Sequence, residues 1–80
     1  MRPLTDRVLH CLHNLAAVAP ENAKSLSELV EVVEEPADNI KDLLHSEEQL
    51  GNIKSLTDAS KQQRYYLTGL GILRAVSMLT

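Results

Sequence analysis

Pro20, Pro36 and Gly51 cut this 80-residue chain into segments, and that punctuation limits its possible folds more than any other feature. Apolar residues recur at helical spacing between the marks. Val8, Leu12 and Leu15, with Leu4, Leu9, Cys11 and Ala16 widening the stripe, predict a first helix from Leu4 to about Val18, stopped by Pro20. Asp6, Arg7, His10, His13 and Asn14 fall on its opposite side. A second helix begins at Ser25, where Ser25 and Glu28 form a capping box that satisfies amides of the first turn. It turns Leu26, Leu29, Val30 and Val33 inward and leaves Glu28, Glu31 and Glu34 to water. Pro36 ends it, because the residue before a proline avoids the helical region. The same proline opens a third helix, since a missing amide hydrogen has no partner to lose at the first helical position. Asp38 suits the helix dipole there, Ile40, Leu43 and Leu44 form the buried stripe, and Gly51 is the terminating glycine.

After Gly51 the pattern changes. Asn52 to Thr57 and Arg64 to Thr68 read as two strands, joined through the polar tip Asp58-Ala59-Ser60-Lys61-Gln62-Gln63. Alternation points Ile53, Tyr65 and Leu67 to the core, and Arg64 and Tyr66 outward. Thr68 can cap a last helix running through Leu79. That helix is apolar around nearly its whole circumference, with only Arg74 and Ser77 interrupting Ile72, Leu73, Ala75, Val76, Met78 and Leu79. Such a helix needs burial on more than one side. One face is expected to pack inward and another, built from Ile72, Leu73, Val76, Met78 and Leu79 with help from Leu4 and Leu9, to meet a second subunit.

Length and composition narrow the function. Residues 1–80 suffice for a single domain, and a domain this small buries only about 60% of the surface its unfolded chain exposes. There is no Phe and no Trp, and the aromatic surface is Tyr65 and Tyr66 alone, little for an enzyme pocket or a base-stacking platform. The serines have no nucleophile motif around them, and Gly69-Leu70-Gly71 is too short for a phosphate loop. The chain is therefore expected not to be an enzyme and to carry no cofactor. Asp6, His10 and His13 share a face at i, i+4 and i+7, a spacing that can bind zinc or nickel, but two histidines on a solvated face are more often simply solvated, and no metal is expected. Cys11, the single cysteine, cannot form an internal disulfide and reads as a small core residue. No apolar run reaches the roughly 20 residues that span a bilayer, and the charged first residues precede no signal-peptide core. The expectation is a cytoplasmic protein without a membrane partner.

Helix, helix, helix, strand, strand, helix is an order with relatives. From about Ser25 to Gly71 the chain resembles the small winged helix regulators of the arsenic-repressor and multiple-antibiotic-resistance-regulator types. Ser25-Leu26-Ser27-Glu28-Leu29 looks like the start of the family's second helix. Ile40, Leu44, Gly51 and Ile53 fall where its recognition helix and first wing strand carry an apolar residue, a Leu, a turn Gly and a hydrophobe. Tyr65-Tyr66-Leu67-Thr68-Gly69-Leu70-Gly71 is similar to its wing exit of Tyr, Leu, Thr and a Gly three residues after the Thr. Two features depart from the pattern. Glu47 stands where a second Leu is common, so that the helix either ends early or shifts to let Leu50 fill the gap. Lys61-Gln62-Gln63-Arg64 replaces the Gly-Arg turn often found in the wing. The resemblance implies a mainly α (α+β) winged helix-turn-helix with three helices, a two-stranded wing and a C-terminal helix, acting as a homodimeric DNA-binding transcriptional regulator.

On that reading, double-stranded DNA is the partner. Asn39, Lys41 and His45 would face base edges in the major groove, while Lys54, Lys61 and Arg64 of the wing would hold phosphates. Charge argues the other way. The formal net charge is −3, and between Glu35 and Glu48 the acids Glu35, Asp38, Asp42, Glu47 and Glu48 stand against Lys41 alone. Phosphate attraction supplies most affinity for DNA, so a monomer with these cations would bind weakly, and a dimer doubles them. The alternative is a protein-interaction winged helix, whose acidic second and third helices dock a basic protein partner and never bind DNA.

Overall fold

The structure is a computed structural model, and it describes residues 2–77. The first helix, α1 (Leu4–Asn14), buries Val8, Leu9, Cys11 and Leu12. It ends four residues short of Val18. Ala16 takes a left-handed conformation (φ 57°), the Ala16 amide donates to the His13 carbonyl and the Ala17 amide donates back to the Leu12 carbonyl at 2.9 Å. This is a Schellman termination. It turns the chain before Pro20 is reached, so Pro20 instead opens a single 3₁₀ turn (Pro20–Asn22). Ala17 is buried, and its carbonyl accepts the Leu67 amide at 2.7 Å, which ties the end of α1 to the sheet.

Next comes a two-residue strand that periodicity cannot reveal, β1 (Lys24–Ser25). Ser25 then caps α2 (Leu26–Val33), its Oγ accepting the Glu28 amide at 3.3 Å. The expected capping box is thus half formed, and the Glu28 carboxylate turns elsewhere. Leu29 and Val33 are buried, and Glu34 ends α2 in the left-handed region (φ 62°). The third helix, α3 (Ala37–Gln49), starts one residue after Pro36, which caps it. Ile40 and Leu44 are buried and Leu43 is half-buried. Gly51 (φ 84°) terminates α3 as expected, with the Asn52 amide donating to the Glu47 carbonyl at 3.0 Å.

Glu47 resolves differently from both sequence alternatives. The helix neither ends early nor recruits Leu50, which is 60% exposed. Glu47 itself is buried, and its Oε1 accepts the side-chain amide of the buried Asn52 at 3.0 Å. A polar pair fills the space that a leucine would occupy.

The sheet has three strands, not two. β2 (Ile53–Thr57) and β3 (Gln63–Leu67) pair antiparallel with Ile53 opposite Leu67, and β1 pairs on the other side of β3, giving the order β1-β3-β2. Ile53, Tyr65 and Leu67 join the core with Val8, Leu9, Leu12, Leu29, Ile40 and Leu44.

Thr68 starts α4 (Gly69–Ser77), its Oγ1 accepting the Gly71 amide at 3.1 Å and donating to the Gly51 carbonyl. Gly71 and Ala75 face inward, and Ile72 is half-buried against the core. Leu70, Leu73 and Val76 are exposed. Ile72 therefore packs largely within the subunit, and Leu9, with no exposed surface, is unavailable to a second copy. Met78 and Leu79 lie outside the described residues.

Gly71 meets the start of β2 at close quarters. A Cβ on Gly71 would sit 1.9 Å from the Asn52 carbonyl oxygen, whereas one on Gly69 would meet nothing within 4 Å. Gly71→Ala should destabilise the domain by about 3 kcal/mol, the upper end of ordinary overpacking. Gly69→Ala should be neutral or stabilise by up to about 1 kcal/mol, through reduced unfolded-state entropy. Urea unfolding of the two variants side by side checks both signs.

Candidate nucleic-acid interface

The turn between α2 and α3 orients the exposed face of α3. Arg7 of α1 fixes that turn, its Nη1 pairing with Glu35 Oε1 at 2.8 Å and its Nη2 donating to the Val33 carbonyl. With Ile40 and Leu44 buried, α3 exposes Asp38, Asn39, Lys41, Asp42, His45 and Ser46. Helical spacing sorts them into two strips, Asp38, Lys41 and His45 on one and Asn39, Asp42 and Ser46 on the next. The three residues expected to probe DNA are thus all in solvent, each with an aspartate on its strip. The His45 ring nitrogen Nε2 lies 3.2 Å from Gln49 Nε2, one turn on. Two contacts bind the far end of α3 to the hairpin: the buried Glu47–Asn52 pair, and Ser55 Oγ donating to Glu48 Oε2 at 2.8 Å.

The hairpin tip is organised around one carboxylate. Asp58 Oδ1 accepts the amides of Ser60 (2.8 Å) and Gln62 (2.9 Å), and Oδ2 accepts Arg64 Nε at 2.8 Å. The Lys61 amide donates to the Asp58 carbonyl, and Lys61 holds a left-handed conformation (φ 65°) at the tip. The Arg64 hydrogen bond, followed by the backbone amide of Gln62, holds the Asp58 carboxyl below the usual carboxylate range. The same hydrogen bond raises the Arg64 guanidinium, keeping it charged.

The expected phosphate ligands therefore separate. Lys54, opposite Tyr66 across the sheet, and Lys61 at the tip are exposed, and neither forms an ion pair among the described residues. Arg64 is different. It is half-buried and pairs with Asp58 and with Glu28 of α2, so it does not join the lysines as an available cation. Sequence reasoning missed Asp58 and Glu28 as its partners. The available signal was an acid and a base at the two ends of one polar hairpin loop.

The remaining candidates fall away from this face. His10 is engaged by the Arg2 guanidinium, and no three metal-binding side chains cluster among the described residues, so Asp6, His10 and His13 do not come together as a ligand set. Burial pushes the Cys11 thiol up, leaving little thiolate to react. No helix among the described residues is long and apolar enough to cross a membrane.

No protein-family model and no curated protein sequence matches this chain. Solved structures do. MepR of Staphylococcus aureus, a transcription regulator of the multidrug efflux pump MepA, superposes with a TM-score of 0.84 over 99% of this chain at 15% identity. The fold is a winged helix. A candidate DNA-binding protein from Ralstonia eutropha matches end to end, covering 100% of this chain and 99% of its own, with a TM-score of 0.82 and 18% identity. TubR from Bacillus megaterium aligns over 99% of this chain and 86% of its own, with a TM-score of 0.81 and 23% identity. The winged helix spans only 56% of the MepR chain. MepR has also been solved in complex with DNA. Identities this low establish the winged helix fold and not residue roles. In that fold the hairpin β2–β3 is the wing, and α2 and α3 are the two helices of the helix-turn-helix.

The depressed Asp58 carboxyl has a signed consequence. A carboxyl held low in the folded state adds stability that is present above its unfolded pKa and is lost as pH falls through the folded one. On acidification below the usual carboxylate range, the wing tip should therefore loosen. The Ser60 and Gln62 amide resonances should move together in an NMR titration, and Asp58→Asn should remove that step.

Proposed function

We propose that this winged helix is a DNA-binding transcriptional regulator that works as a homodimer. In this reading Lys54 and Lys61 engage duplex phosphates, and Asn39, Lys41 and His45 of α3 face base edges. The carrying observation is the pairing of two wing lysines that form no ion pair among the described residues with a polar exposed face on α3, within the fold that MepR brings to DNA. Asp38 and Asp42 reduce the attraction, so affinity depends strongly on the wing and on salt. A second copy offsets this by doubling the available cations.

The α4 surface supports the dimer. Leu70, Leu73 and Val76 form an exposed apolar stripe, and Leu50 adds to it across an open cleft of about 550 Å³ lined also by Asn52 and Arg74. Several exposed apolar side chains on one helix mark an interaction site more often than a single one does. Of the residues expected at the interface, Leu73 and Val76 carry this reading, and Ile72 belongs mainly to the core.

One observation favours a second reading. Glu31, Glu34, Asp38 and Asp42 are all exposed along α2 and α3, a face suited to a basic protein partner.

Random-sequence duplex at low salt should be retarded by the wild-type protein in a gel shift, and Lys54→Glu with Lys61→Glu should weaken that binding by at least about tenfold, the scale expected when phosphate contacts are reversed in sign. Binding unchanged by the pair removes the wing from the interface. No binding at any salt favours the protein-docking reading. Light scattering at high micromolar concentration should give a dimer, and Leu73→Asp a folded monomer. A wild-type monomer there ends the dimer proposal.

A further inference from the structure

Arg64 alternates outward on β3 beside Tyr66, where sequence makes it a phosphate ligand, yet its guanidinium reaches three other elements. Nε donates to Asp58 Oδ2 at 2.8 Å, at the base of the wing turn. Nη1 lies 3.5 Å from Glu28 Oε1 in the first turn of α2, and donates to the Ala23 carbonyl at 3.3 Å just before β1. Nη2 reaches Gln62 Oε1 at 3.4 Å. One planar fork therefore joins the wing turn, the entry to β1 and the start of α2, a geometry that a single ammonium cannot reproduce. Two carboxylates surround one guanidinium, so the cluster is net negative and repels a phosphate. Lys54 and Lys61 stand outside it without ion pairs among the described residues.

We propose that Arg64 is a positioning residue. It fixes the tilt of the wing against α2, and thereby where Lys54 and Lys61 stand relative to α3, without touching the duplex itself. This rests on the DNA-binding reading, but the clamp can be measured without DNA.

Electrostatics and positioning predict opposite signs. If Arg64 were a phosphate ligand held back by acids, Asp58→Asn and Glu28→Gln would each remove a negative charge near the DNA and tighten binding. If Arg64 positions the wing, each weakens binding. Fluorescence anisotropy on a short random-sequence duplex at several salt concentrations separates the two. The expected result is that Arg64→Gln, Asp58→Asn and Glu28→Gln each lose roughly three- to fivefold, the range of partly exposed ion pairs. The slope of log K against log salt should stay unchanged, and Arg64→Lys should bind no better than Arg64→Gln. Glu28→Gln guards against a misfolded turn, because it lies outside the hairpin and leaves the Glu28 backbone amide bonded to Ser25 Oγ. The proposal is overturned if Arg64→Gln flattens the salt slope by about one, the mark of a lost phosphate contact, if Arg64→Lys restores wild-type affinity, or if removing either acid tightens binding. If the wild-type protein binds no duplex, the DNA reading fails alone. The clamp is then read from residual dipolar couplings of the β2 and β3 amides relative to α2. Arg64→Gln and Glu28→Gln should reorient the hairpin, and unchanged couplings overturn the proposal.

Discussion

The architecture turns on Asn52. Its amide caps α3 through the Glu47 carbonyl, its side chain reaches the Glu47 carboxyl group, and its carbonyl receives the Thr68 amide at 3.1 Å. One buried residue therefore fixes where α3 stops, where β2 begins and where β3 hands over to α4. The arrangement is tight enough that α4 passes directly over the Asn52 carbonyl, which excludes any side chain at Gly71. Buried polar groups are costly unless satisfied, and these satisfy one another. No buried side-chain nitrogen or oxygen among the described residues lacks a partner.

The same economy governs charge. Arg7 pairs with Glu35 at the turn before α3, and Arg64 pairs with Asp58 and Glu28 beside the wing. Both arginines join elements distant in sequence, while lysines occupy the exposed positions of α3 and the wing. Arginine, with its rigid multidentate fork, suits the joints, and the flexible ammonium of lysine suits a solvent-facing contact. In an acidic domain this division decides which cations remain for a polyanion.

Much of the fold was legible because the elements that carry it are periodic or punctuated. The apolar stripes of α1, α2 and α3, the Ser25 cap, the Gly51 stop, the Thr68 cap and the alternation of Ile53, Tyr65 and Leu67 all follow from local rules. The failures are tertiary. Strand β1 is two residues long, shorter than any periodic signal, and exists only because β3 offers a free edge. The early end of α1 depends on Ala16 adopting a conformation usually left to glycine. At the candidate site, the exposed places of Asn39, Lys41, His45, Lys54 and Lys61 follow from spacing alone. Arg64 could not be read that way, because its outward parity was visible while its partner Glu28 lies far along the chain.

The buried Glu47–Asn52 pair also constrains how this chain can evolve. Replacing Glu47 by leucine strands the Asn52 amide in the core. Replacing Asn52 first leaves a buried carboxyl group without its donor. Either single step passes through a less stable protein than the states on both sides. Descendants of this sequence should therefore keep both residues or exchange both, and the identity at one position should reveal the other.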